Sequence, residues 1–135
     1  MRSSARENPE CYYRGGVVNT MRITLFGIPN CDSCKKARRW LESIDIDYEF
    51  HDVRVDGLTH KDIQHWLKSV EWEKLLNTRS TTWRNLPEAE RAIVDKKNVV
   101  PLLVKHPTLV KRPVLENGDR VTVGFSADQY SDLIE

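Results

Sequence analysis

The chain has 135 residues, 39% hydrophobic and 30% charged, a balance that excludes a disordered tail and suits one domain with one core. Its 21 basic and 20 acidic residues leave a net charge of +1, which gives no bulk electrostatic ground for binding nucleic acid or a membrane. Three cysteines, at 11, 31 and 34, do not make a secreted disulfide framework, and no apolar run nears the ~18–20 residues that span a bilayer.

Residues 1–20 are polar, carry Gly15-Gly16, and follow neither a helical nor a strand period. They lack the apolar stretch of a secretory signal, so the cytoplasm is the expected location. We read them, Cys11 included, as a flexible extension without function, with Met21 the true start and 21–135 the folded domain. Ile23 and Leu25 then alternate with Arg22 and Thr24, a strand that Gly27-Ile28-Pro29-Asn30 breaks. Cys34, Ala37, Leu41 and Ile44 recur at helical spacing and predict one apolar helix face, with Lys35, Lys36, Arg38 and Arg39 on its other sides. Ile46, Tyr48 and Phe50 alternate with Asp47, Glu49 and His51 as a second strand. Strand, helix and strand together predict a right-handed, parallel βαβ unit.

The middle of the chain reads as helical. Thr59 and Asp62 have the spacing of a capping box, ahead of an apolar stripe of Ile63, Trp66, Leu67 and Val70. Trp72 to Leu76 continues helix-like, and Asn77 to Asn85 is a polar stretch. Pro87 suits the first turn of a further helix, with Glu88 and Glu90 near its start and Lys96 and Lys97 near its end. Asn98 is positioned to cap a short helix holding Val99, Leu102 and Leu103. Val114-Leu115 and Val121 to Val123 flank Glu116-Asn117-Gly118-Asp119, a hairpin signal. Ser126 and Gln129 open a last helix that uses Tyr130, Leu133 and Ile134. The order suits an α/β fold: a four-stranded mixed sheet with helices packed on it. Trp40, Trp66, Trp72 and Trp83 are read as packing.

Strand, short loop, then Cys31-x-x-Cys34 at the mouth of a helix is the arrangement of a redox-active thiol. Unpaired N–H groups and the positive end of the helix dipole both favour thiolate at Cys31. Asp32 opposes this if it turns inward, so the expectation is a moderately acidic thiol. Cys34 is close enough in sequence to resolve a disulfide at Cys31, or it is a small buried apolar residue on the Ala37–Leu41 face. Zinc is not expected, because His51, His60, His65 and His106 show no paired ligand spacing.

FGIPNCDSCKKARRWLE, LLNTRSTTW, KRPVL and VGFS, in order along 21–135, together resemble the arsenate-reductase-like family that includes the Spx regulators and the small YffB proteins. The resemblance is closest to the YffB group. It implies a thioredoxin-like fold with a helical insertion between its halves. It implies that Cys31 is the nucleophile, that Arg112 lies opposite its sulfur, and that Pro113 is cis. A guanidinium there can hold an oxyanion bidentately or stabilise the thiolate. Arsenate reductases of this type hold their oxyanion with three arginines. Here Asn77 stands where one is expected, with Arg79 two residues on, and Gly124 stands where another is expected. Losing two oriented cations weakens divalent-anion binding by several kcal/mol, at ~1.5–3 for each charged hydrogen bond, which argues against arsenate as substrate.

Two functions follow from the resemblance. One is an oxidoreductase: a thiol reductase with no bound cofactor, working with glutathione as co-substrate or with glutaredoxin. In it Cys31 attacks, glutathione or Cys34 resolves the adduct, and Arg112 with Arg79 binds glutathione's carboxylates. The other is an Spx-like regulator that binds the RNA polymerase α subunit through a Cys31–Cys34 switch, with no direct contact to nucleic acid.

Overall fold

The structure, a computed structural model, describes residues 23–134. The expectations for 1–20, for Cys11 and for a start at Met21 lie outside those residues. Strand β1 (Ile23–Gly27) is followed by helix α1 (Asp32–Ser43) and strand β2 (Glu49–Asp52). A helical stretch comes next: α2 (His60–Leu67), α3 (Trp72–Leu75), α4 (Thr81–Asn85), α5 (Glu88–Ala92) and α6 (Val99–Lys105), then a 3₁₀ turn at Pro107–Leu109. Strands β3 (Val114–Asn117) and β4 (Arg120–Val123) and helix α7 (Ala127–Ile134) complete the chain. The sheet order is β2-β1-β3-β4, with β1 and β2 parallel and the other two pairings antiparallel. A βαβ half and a ββα half around one mixed sheet, with helices inserted between, is a thioredoxin-like fold.

Alternation along β1 divides the protein into two cores. Leu25 and its partner Leu115 face Ala37 and Leu41 of α1 and Tyr130 and Leu133 of α7. Phe26 and its partner Val114 face the helical insertion, where Ile63, Trp66, Leu103 and Leu109 are fully buried. Trp66 donates its indole N–H to Glu116 at 2.6 Å, so the largest buried side chain keeps its one polar atom paired. Trp40 packs edge-on against Tyr130, and Trp72 and Trp83 pack against the insertion core.

Several local expectations need correcting. Ile44 is not on the buried face of α1, because the helix has already ended. Asp45 adopts φ 57°, its N–H bonds Glu42 O, and the Ile46 N–H reaches back to Leu41 O, a Schellman closure made with aspartate in place of glycine. Ile46 therefore packs beside Leu41 instead of opening β2, which starts at Glu49. The polar stretch 77–85 contains α4, whose cap is the Ser80 hydroxyl accepting from Trp83 N–H. Helix α5 ends at Ala92, so Lys96 and Lys97 lie beyond it. Asn98 precedes α6 but caps nothing with its side chain; it donates to Ile93 O, and Asp95 takes the Lys97 and Asn98 N–H groups. The register pairs Asn117 with Arg120, so the hairpin loop is Gly118-Asp119. Gly118 has φ 63°, as the first position of a type II′ turn requires.

Candidate active site

The loop after β1 delivers Cys31 to the N-cap of α1 in extended conformation (φ −113°, ψ 127°), and its carbonyl accepts the Lys35 N–H. No side-chain oxygen caps the helix. The Cys31 sulfur occupies that place, faced by the N–H groups of Ser33 and Cys34. Burial pushes the Cys31 thiol up, but the Cys34 N–H, the Cys34 thiol, the Arg112 guanidinium and the Ser33 N–H outweigh it, and the net shift is downward from 9.0. Asp32, the expected opponent, is exposed.

Cys34 sits one turn into α1 with no solvent exposure. A Cβ at Gly27 would collide with its sulfur, so the absent side chain at the end of β1 makes the space that Cys34 fills. Burial pushes its thiol up to about 12, so Cys34 stays protonated at neutral pH, the opposite direction from Cys31, and the thiol hydrogen-bonds to Cys31. Both cysteines are free. One half-buried and one fully buried thiol from the same motif follow from helix geometry. The N-cap sulfur meets free N–H groups; the sulfur one turn later meets the sheet.

Arg112 approaches from the opposite side, on the loop that enters β3. The Arg112–Pro113 peptide bond is cis. The guanidinium is held by Nη1 donating to Thr108 O at 2.9 Å, while its buried Nε has no hydrogen-bond partner among the described residues. Thr108 is itself tied to α4 by a hydroxyl–hydroxyl contact with Thr82 at 3.1 Å. An oriented cation with a spare donor, beside a thiol whose ionisation is favoured, is suited to hold an anionic group.

Arg79 reaches the neighbourhood by its backbone. Asn77 N–H donates to Leu109 O and Lys111 N–H to Leu75 O, each at 2.7 Å, around a Leu76–Val110 bridge. The 75–79 segment is thereby stitched to the strand-like run that precedes Arg112. Arg79 is exposed; its N–H is held by Asn77 Oδ1 at 3.0 Å, and its carbonyl accepts from Arg84. Thus the structure gathers Cys31, Cys34, Arg112 and Pro113 at one end of the sheet and sets Arg79 on the adjoining loop.

Sequence reasoning missed Gly27 and Thr108 as supports of this site. A glycine closing a strand one residue before the loop was the available signal for the first; a carbonyl anchor leaves no signal at all. Gly124 has φ 80°, a backbone state that disfavours the arginine expected there in an arsenate site. Two surface clefts on the insertion, both lined by Leu67, Lys68 and Lys96, hold none of these residues. Among the described residues no cluster of three or more His, Cys, Asp or Glu gathers as a metal site needs, and no helix is long and apolar enough to cross a membrane.

Comparison with known proteins bears on the fold and the family. An uncharacterised protein of Haemophilus influenzae is 41% identical over 108 residues, covering 80% of this chain and 95% of its own. The global transcriptional regulator Spx of Streptococcus pneumoniae is 31% identical over 109 residues, covering 79% of this chain and 81% of its own. The solved structure of a YffB protein superposes with a TM-score of 0.79 at 38% identity, covering 84% of this chain and 99% of that one. The ArsC family profile matches residues 26–133, from the end of β1 into α7 and including every residue of the site, and on that match the chain belongs to the ArsC family.

Proposed function

We propose that this chain is a thiol reductase that uses glutathione, directly or through glutaredoxin, with Cys31 as nucleophile. The observation that carries the reading is the Cys31 sulfur, drawn toward thiolate at the mouth of α1 and faced by a guanidinium with an unpartnered Nε. In the first step the Cys31 thiolate attacks one sulfur of a disulfide substrate. A bond forms from Cys31 to that sulfur, the substrate S–S bond breaks, and the second thiolate leaves and takes a proton from solvent. A glutathione thiolate then attacks the Cys31 adduct, releasing the reduced product thiol and leaving Cys31 bonded to glutathione; a second glutathione frees Cys31 and departs as oxidised glutathione. Arg112, with Arg79, binds the carboxylates of glutathione in this scheme.

Arsenate is a poor fit for the same site. Asn77 spends its side-chain carbonyl on the Arg79 N–H, and Gly124 occupies a conformation that suits glycine, so Arg112 is without the two companions a divalent oxyanion calls for.

The test is turnover of a glutathione mixed disulfide, followed by glutathione consumption. Cys31→Ser is expected to abolish it, whereas Cys34→Ser is expected to retain a monothiol route. Retention of turnover in Cys31→Ser would refute the assignment.

A second reading has two observations in its favour: Cys34 faces the Cys31 sulfur, and the Spx relative shares 31% identity. In that reading a Cys31–Cys34 disulfide is the switch of a regulator that binds the RNA polymerase α subunit. Binding to the α C-terminal domain that differs between oxidised and reduced protein would support it; no binding in either state would remove it.

A further inference from the structure

The Arg112 guanidinium is anchored on a carbonyl that ordinary backbone pairing would have consumed. Arg112 Nη1 donates to Thr108 O at 2.9 Å. Thr108 lies in the middle of the 3₁₀ turn Pro107–Leu109, where the Leu109 N–H bonds His106 O and the Val110 N–H bonds Pro107 O. One more bond of that series would bring the Lys111 N–H onto Thr108 O. The Lys111 N–H crosses instead to Leu75 O on the insertion, at 2.7 Å. Thr108 O is left for the guanidinium, so the insertion both ends the turn and frees the acceptor.

A single 3₁₀ turn is a soft support for a cation, because its hydrogen-bond geometry is poor. The Thr108 side chain stiffens it. Its hydroxyl meets the Thr82 hydroxyl at 3.1 Å, and among the described residues each hydroxyl has the other as its hydrogen-bond partner. Thr82 is itself well held. It lies in the first turn of α4 beside Trp83, whose ring packs against the insertion core and whose N–H donates to the Ser80 hydroxyl. Packing alone does not call for threonine at 82. Valine has nearly the same shape, and two half-buried hydroxyls carry a desolvation cost that two methyl groups avoid. A hydroxyl pair fixes direction, which a methyl contact does not. The same helix also fixes the loop that carries Arg79, through Arg84 Nη2 donating to Arg79 O at 2.8 Å. Helix α4 thus holds the backbone of one arginine and the anchor of the other.

We infer that Thr82 is a positioning residue for Arg112: through Thr108 it holds the guanidinium in one orientation, with the unpartnered Nε left to donate to an anionic group. Thr82 itself touches neither Arg112 nor the ligand. The identity of the ligand rests on the glutathione reading above; the orientation of Arg112 does not. A guanidinium fixed in advance loses less freedom on pairing with a carboxylate than one that the ligand must order. Thr82 therefore raises affinity for a carboxylate-bearing thiol without adding a contact to it.

Two measurements on the full chain separate this role from the glutathione reading. The first needs no ligand: nitrogen NMR relaxation of the Arg112 Nε–H. In wild type and in Thr82→Ser the group is expected to be as ordered as the surrounding backbone. In Thr82→Val it is expected to gain motion on the nanosecond scale or faster, and likewise in Thr108→Val, which removes the same contact from the other side. An equally ordered Nε–H in both valine variants overturns the proposal, as does a serine variant that behaves like valine. The second is binding of S-methylglutathione, which cannot exchange thiols, and of its diethyl ester, which has no carboxylate. Thr82→Val is expected to weaken S-methylglutathione by about threefold to tenfold, to leave the ester unchanged, and to add nothing in an Arg112→Ala background. An equal loss for the ester, or the same loss without Arg112, overturns the proposal. A wild-type chain that binds S-methylglutathione no better than the ester counts against the glutathione reading alone, and the relaxation measurement then decides the role of Thr82.

Discussion

Gly27 and Cys34 form a pair in which one residue is defined by what it lacks. The strand ends in a hydrogen atom where a methyl would strike the Cys34 sulfur, with Phe50 behind it. Gly27→Ala is therefore expected to destabilise the protein by about 1–3 kcal/mol, the range for overfilling a packed site. In a Cys34→Ala background the sulfur is gone and the cost should largely vanish. Urea denaturation of the four variants measures this coupling; equal costs in both backgrounds would contradict it. The site was legible in part at this scale. Cys31 announced itself by its place before a helix, and Arg112 and Pro113 by the KRP run. What Cys34 does was not legible, because residue spacing fixes its face of the helix but not its burial.

The elements followed the sequence wherever a local chemical pair specified them. Thr59 and Asp62 form the full capping box of α2: the Thr59 hydroxyl accepts from Asp62 N–H at 3.1 Å, and the Asp62 carboxylate accepts from Thr59 N–H at 3.0 Å. Thr59→Ala removes half of that exchange and is expected to cost about 1 kcal/mol in thermal or urea unfolding; no loss would mean that tertiary packing of Trp66 alone holds α2. Elements went astray where a rarer residue did a common job. An aspartate in the left-handed state ended α1 one residue before Ile44, and a serine within a polar run opened α4. Apolar periodicity has no access to either event, since one is decided by backbone closure and the other by a side-chain cap. The same holds for α5, whose expected basic end belongs to the turn before α6.

At the scale of the whole molecule, the sheet order β2-β1-β3-β4 explains why residues from distant parts of the chain meet. β1 lies between a parallel neighbour and an antiparallel one, so the end of β1 and the beginning of β3 lie at the same edge. That places the Cys31 loop opposite Arg112-Pro113 although 80 residues of chain separate them. The insertion contributes by holding this edge: its 75–77 run bonds the 109–111 run, and Thr82 reaches Thr108, the residue whose carbonyl orients Arg112. The order of strands and helices could be read from the sequence, but this stitching could not, because backbone bonds between two irregular runs leave no side-chain pattern. Everything proposed for the site depends on the thiolate that results at Cys31. Alkylation of Cys31 in a Cys34→Ala chain would lose one of the stabilising donors, so the wild-type chain is the proper sample, with Cys34 shielded by burial. The rate of Cys31 alkylation against pH, in wild type and in Arg112→Ala, is the most direct measurement. Wild type should show a midpoint below the ordinary thiol value of 9.0, and Arg112→Ala should move it upward. A wild-type midpoint at or above that value would contradict the account.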